Sequence, residues 1–308
     1  MEIPSFNALI QQSIIDHWDM DALTDYKGAT LQYHDVARKI EKLHIMFENS
    51  GVVKGDKIAL CGRNSANWAV AFLATLTYGA IAVPILHEFM PDQIHNIVNH
   101  SDAKLLFVGD VVATQVDATK MPGLEGIIYI PDYSLVVSRT DKLTYAREHL
   151  NEMFGIKYPK YFRKNHVNYY IDQDPNELAM INYTSGTTGF SKGVMVPYRA
   201  LWSNADFARM YWARRSRLEI LSSVSCRWHT CMAWHSSLSS NSSRVAIFTI
   251  SPASLAQPSS PRHSDASSQQ LSSLCLWLSR RLSARRYSLR FRTTACACSS
   301  TCLSSARR

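Results

Sequence analysis

Three times between residues 31 and 108 a helix-period stretch gives way to a short apolar run. That alternation restricts the chain to a layered α/β fold. Leu31-Gln32-Tyr33 reads as a short strand and residues 34–50 as an amphipathic helix. The helix places Val36, Ile40, Leu43 and Phe47 on one face, with Arg38, Lys39, Glu41 and Lys42 elsewhere. It ends at Gly51, and Val53-Lys54-Gly55-Asp56 makes a polar turn into a strand over Lys57–Cys61. A helix over residues 65–78, stopped at Gly79, and a strand over residues 80–83, stopped by Pro84, come next. Pro91–His100 repeats the helix pattern and Ala103–Val108 the buried strand. The whole predicts layered, parallel-rich sheets with flanking helices.

Charge divides the 308 residues into two unlike parts. Residues 1–211 carry 12 Lys, 7 Arg and 23 Asp+Glu, a net of −4, as an ordinary slightly acidic globular chain does. Residues 212–308 carry 14 Arg, no Lys, and only Glu219 and Asp265, a net of +12. All 12 glycines lie at or before Gly193, whereas six of the seven cysteines lie at or after Cys226. The acidic start, Met1-Glu2-Ile3-Pro4, lacks the layout of a signal peptide and points to the cytosol, where a disulfide framework is not expected. The uncharged stretch 68–86 has the length of a membrane span, but Thr75, Thr77, Gly79 and Pro84 divide it into a buried helix and a strand. Residues 110–168 give no clear period. Tyr158, Tyr161 and Phe162, set between Lys157, Lys160 and Lys164, read as a locally packed, solvated loop rather than a basic-aromatic surface.

The chemistry concentrates in residues 178–211. Leu178-Ala179-Met180-Ile181-Asn182-Tyr183 has the character of a buried strand and runs into Thr184-Ser185-Gly186-Thr187-Thr188-Gly189-Phe190-Ser191-Lys192-Gly193. Val194-Met195-Val196 forms a second strand, and Pro197 opens a helix to about Tyr211. Glycines let backbone N–H groups approach an anion, hydroxyls donate further hydrogen bonds, and a lysine neutralises charge, so the stretch reads as a polyphosphate cradle. It is not a Walker A loop, because Ser191 precedes Lys192 and a strand follows.

The run from Tyr183 to Val194 resembles the signature loop of the AMP-forming adenylate-forming enzymes, with Ser191 where proline is commonest. The resemblance extends upstream through Val53 to Leu60, Asn64 to Trp68 and Tyr78-Gly79-Ala80-Ile81-Ala82-Val83-Pro84. It covers roughly residues 10 to 211, the front of the family's large N-terminal domain, and looks closest to long-chain fatty-acid–CoA ligases. It implies ATP-dependent activation of a carboxylic acid to an acyl adenylate, then transfer to coenzyme A. By motif match Thr184, Ser185, Gly186, Thr187, Thr188 and Gly189 would wrap the β- and γ-phosphates of ATP. Lys192 would serve as the catalytic cation, and Mg²⁺ would sit at Thr184 on the phosphate oxygens. The implied partners are a fatty acid, ATP and CoA, with no specific nucleic acid and no transmembrane segment. Peripheral membrane contact is left open.

After Tyr211 the resemblance ends, giving a partial AMP-binding domain over 1–211 and a Ser/Arg-rich tail over 212–308. The family's later segments for adenine, ribose and the catalytic lysine have no counterpart in the tail, which contains no Gly or Lys. A reading-frame shift near Tyr211 is the expected cause. Residues 225–235 read one base earlier permit Leu-Pro-Met-Ala-His-Met-Tyr-Gly-Met-Ala, similar to the family's hydrophobic-Pro-x-x-His segment. The chain as written is then expected to be inactive and its tail poorly packed. The rival reading is a nucleotide-binding fragment whose basic tail, with Arg280-Arg281 and Arg285-Arg286, binds nucleic acid non-specifically. Cys296-x-Cys298-x₃-Cys302 lacks a partner His or Cys pair and reads as incidental cysteines. His34, His44, His87, His95 and His100 show no ligand spacing and read as helix-surface or packing residues.

Overall fold

Apolar runs bounded by Gly, Ser and Pro become, in a computed structural model of the chain, the strands of a seven-stranded sheet. Residues 5–25, 28–172, 174–184 and 192–213 are described, together with 222–224 and 248–250. The chain divides into units Met1–Ala253 and Ser254–Arg308, and every described residue belongs to the first. The helices are α1 (Phe6–Asp16), α2 (Tyr33–Ser50), α3 (Ala66–Tyr78), α4 (Pro91–His100), α5 (Asp110–Ala113), α6 (Asp141–Glu148), α7 (Leu150–Lys157) and α8 (Tyr198–Ala213). The strands are β1 (Asp21–Asp25), β2 (Thr30–Gln32), β3 (Lys57–Cys61), β4 (Ile81–Ile85), β5 (Ala103–Val108), β6 (Gly126–Tyr129), β7 (Leu135–Ser138), β8 (Leu178–Thr184), β9 (Lys192–Pro197), β10 (Ser222–Val224) and β11 (Phe248–Ile250).

The large sheet runs β7-β6-β5-β3-β4-β8-β9. Its centre is parallel, and antiparallel partners close both sides, β7 on β6 and β9 on β8. A second, four-stranded sheet runs β10-β11-β1-β2, with Leu23↔Phe248 in the parallel ladder. The central strands are buried on both faces, as parallel strands covered by helices must be: Ile58, Leu60, Leu105 and Phe107 contribute to one apolar cluster, Ala59, Cys61, Leu106 and Val108 to another. This is the parallel-rich α/β arrangement expected from the sequence. Among the described residues no helix is long and apolar enough to cross a membrane.

Helix ends fall where the sequence has caps. The Ser65 hydroxyl accepts from the Trp68 N–H at the start of α3, and Gly51 and Gly79 adopt φ of 87° and 83° at the ends of α2 and α3. At α1 the cap is shared. The Ser5 hydroxyl accepts from Ala8 N–H, and the Asp172 carboxylate accepts from Asn7 N–H at 3.0 Å and Phe6 N–H at 3.2 Å. A carboxylate at a helix N-terminus is stabilised by the dipole, and here it fastens α1 to the segment that leads into β8.

One expectation needs correction. Pro84 does not stop its strand: β4 continues to Ile85, with Leu60↔Pro84 and Cys61↔Ile85 in register with β3. The ladder to β8 is made at Ala82↔Met180, before the proline, so the missing N–H falls where pairing on that side has ended. The pattern places Glu41 off the apolar stripe of α2 without saying what it meets. Glu41 is buried, and Lys157 Nζ at 2.9 Å and the Tyr158 hydroxyl at 2.8 Å offset the cost of burying its charge. In the loop at 158–166 Phe162 packs against Trp18 and Phe154, as read, whereas Tyr161 stands exposed. Of residues 214–308 only β10 and β11 are described, so the expectation of a poorly packed tail lies otherwise outside the described residues.

Candidate functional site

The hairpin β8–β9 builds the site. Ala179, Met180 and Tyr183 are buried along β8. The antiparallel ladder runs Met180↔Val196, Ile181↔Met195, Asn182↔Val194, Tyr183↔Gly193 and Thr184↔Lys192. Antiparallel partners have Cα atoms about 4.5–5.5 Å apart, so the last pair brings Thr184 and Lys192 together at the mouth of the connection. Both are exposed. Ser185, Gly186, Thr187, Thr188 and Gly189, like Phe190 and Ser191, lie outside the described residues. Of the expected site residues, then, the structure juxtaposes Thr184 and Lys192 as the two ends of the loop. Their side chains are a hydroxyl and an ammonium, a neutral donor and a cation, the pair an anionic oxygen calls for.

One pair below, Tyr183 faces Gly193, and this apposition requires the glycine. A Cβ on Gly193 would meet Ile181 Cγ2 at 2.9 Å and the Tyr183 ring at 3.2 Å. The Tyr183 hydroxyl is in turn 2.7 Å from His100 Nδ1, with the two rings edge to face at 5.7 Å between centroids. Burial, with the Asp102 carboxylate nearby, raises the phenol's pKa, so it stays protonated at neutral pH and able to donate. His100 closes α4, and thereby links the last residue of that helix to the strand end that carries Thr184. Spacing alone reads His100 as surface or packing. It does pack, but on the residue next to the loop, 83 positions away in sequence.

The far end of the hairpin is anchored as well. Tyr198, first residue of α8, is buried, and its hydroxyl donates to the Leu76 carbonyl at 2.8 Å, which also accepts from Asn7 Nδ2 at 2.9 Å. His44 and His95 serve packing. His44 Nε2 reaches the Ala74 carbonyl at 3.0 Å and Thr77 Oγ1 at 3.1 Å, and His95 Nε2 accepts from the Asp117 N–H at 2.9 Å. Among the described residues no group of three His, Cys, Asp or Glu could hold a metal ion.

A family model described as AMP-binding enzyme matches residues 11–259, a span that runs past Tyr211. The acetyl-coenzyme A synthetase of Pyrobaculum aerophilum is 31% identical over 198 residues, covering 59% of this chain and 28% of the synthetase. Long chain acyl-CoA synthetase 3 of Arabidopsis thaliana is 26% identical over 164 residues, covering 53% of this chain and 24% of that protein. Among solved structures, a red-emitting luciferase from Phrixothrix hirtus superimposes with a TM-score of 0.63 at 16% identity. It covers 83% of this chain and 48% of the luciferase, and so supports the fold alone. The chain spans about a third or less of the length of the curated relatives it matches.

Proposed function

The chain belongs to the AMP-binding enzyme family, and from that premise we propose that its β8–β9 loop is the polyphosphate grip of an acid–CoA ligase. In the reaction a carboxylate oxygen attacks the α-phosphorus of ATP and pyrophosphate leaves. The thiol of coenzyme A then attacks the acyl carbonyl and AMP leaves. Neither step needs a covalent bond to the protein, so the work of the residues is positioning and charge neutralisation. Thr184 through Gly189 would wrap the β- and γ-phosphates, and Lys192 would supply positive charge. Mg²⁺ is commonly held by substrate phosphates with only one or two protein ligands, and the Thr184 hydroxyl fits that sparse role. The observation that supports this most is the Thr184↔Lys192 pair, which sets a hydroxyl and a cation at the two ends of one loop.

The acid is proposed to be a long-chain fatty acid, on the overall likeness of the front of the chain to such ligases. Turnover by the chain as written is proposed to be slight. Beyond Gly193 it contains neither glycine nor lysine, so those residues offer no further glycine-containing nucleotide loop and no lysine for the reacting phosphate. A displacement of about 1 Å in a reacting group can cost on the order of 10²-fold in rate. The test is carboxylate-dependent ATP–pyrophosphate exchange on the purified chain, with acetate, a medium-chain and a long-chain fatty acid. Exchange near background is expected. Robust exchange would overturn the inactive reading, and its dependence on the acid would decide the substrate class.

A further inference from the structure

Between Glu152 and Asp172 the chain carries no acidic residue, yet it holds Lys157, Lys160, Arg163 and Lys164. This is a local inversion within a region, residues 1–211, whose 12 Lys and 7 Arg are outnumbered by 23 Asp+Glu. The segment has a fastened side and an open one. Inward, Tyr158 and Lys157 hold the buried Glu41 carboxylate, and the Phe162 ring packs 6.0 Å from Trp18 and 5.8 Å from Phe154. Outward, Ile156, near the end of α7, is 73% exposed and Tyr161 69% exposed. Lys160, Arg163 and Lys164 are exposed too, and among the described residues none of the three forms an ion pair.

We propose that residues 156–164 dock on an anionic lipid bilayer. Ile156 and Tyr161 would enter the headgroup boundary, where an aliphatic chain and an amphipathic ring are favoured, while Lys160, Arg163 and Lys164 meet the lipid phosphates. A polynucleotide fits the same charges less well. An exposed isoleucine has nothing to gain from it. The Tyr158 and Phe162 rings are engaged inside, against each other at 4.9 Å between centroids, which leaves Tyr161 as the single exposed ring of the segment where a run of bases would call for several. The anchoring through Glu41 and Trp18 holds the segment in place before it meets the membrane, which lowers the ordering cost of docking.

The arginine-rich tail would also be drawn to anionic vesicles, so the test needs a local readout. Hydrogen–deuterium exchange is followed on the full chain with phosphatidylcholine vesicles, with vesicles that also contain phosphatidylserine, and with a single-stranded oligonucleotide. Slowed exchange over residues 156–164 on the phosphatidylserine vesicles alone is expected. Vesicle affinity of the Lys160→Gln, Arg163→Gln, Lys164→Gln triple variant should fall about 100-fold, at about fivefold per charge. Ile156→Ser should weaken it several-fold with the charges intact. A thermal melt of each exposed-site variant checks that the fold is unchanged. Vesicle binding with no slowing over 156–164, or slowing by the oligonucleotide and not by vesicles, would overturn the proposal.

Discussion

Thr184 and Lys192 are antiparallel partners one step beyond Tyr183↔Gly193, so the loop between them opens from a fixed pair of strand ends. The placement of those ends depends on Gly193, which admits the Tyr183 ring, and on His100, which holds the Tyr183 hydroxyl.

Gly193→Ala should destabilise the hairpin. The added methyl group would sit 2.9 Å from Ile181 Cγ2 and 3.2 Å from the Tyr183 ring, and overpacking of this kind costs about 1–3 kcal/mol. A lowered midpoint in urea at unchanged slope checks it. An unchanged midpoint would mean that β9 can draw away from Tyr183 at little cost.

Tyr183→Phe keeps the ring and removes only the bond to His100. The expected loss is about 0.5–1.5 kcal/mol, the net worth of an ordinary hydrogen bond. The His100→Ala variant should cost more, because it also removes the edge-to-face ring contact. Paired denaturation curves separate the two.

His44 predicts an acid-sensitive fold. Burial lowers its pKa from 6.5 to about 4, and the opposing Glu41 charge does not restore it. Between those values the unfolded chain takes up a proton that the folded chain refuses, so stability falls as pH drops from about 6.5 to about 4. The contribution is complete above that window and amounts to about 3 kcal/mol at most. In His44→Gln the slope of stability against pH across this window should be shallower by about one proton. An unaltered slope would show that another group sets it.

The elements that pattern predicts to the residue are those with a clear period or apolar run between definite stops: β3, β5 and α4. Residues 110–168 were illegible because their elements are too short to show a period. Each of α6 and α7 has 8 residues, and each of β6 and β7 has 4. The helix α1 carries its stripe on Phe6, Ile10 and Ile14 and takes half of its cap from Asp172, which no local reading supplies. The burial of Glu41 depends on Lys157 and Tyr158, more than 100 positions away, and a charged residue on an amphipathic helix reads as solvated until its partners are known. At the site, loop composition and the family resemblance single out Thr184 and Lys192, and the structure adds that the two are cross-strand partners. His100 was not findable as a neighbour of the loop, since nothing in its spacing ties α4 to β8.

The most direct test of a phosphate grip between Thr184 and Lys192 is calorimetric titration of Mg²⁺·ATP, and separately of pyrophosphate, into the full chain and its Lys192→Ala variant. A charge-assisted hydrogen bond is worth about 1.5–3 kcal/mol, so loss of the ammonium should weaken both ligands by roughly 10- to 100-fold. Lys192 is an exposed residue at the end of β9, so the melt of the variant should match that of the parent chain. Equal affinity of the two proteins for both ligands would contradict the account.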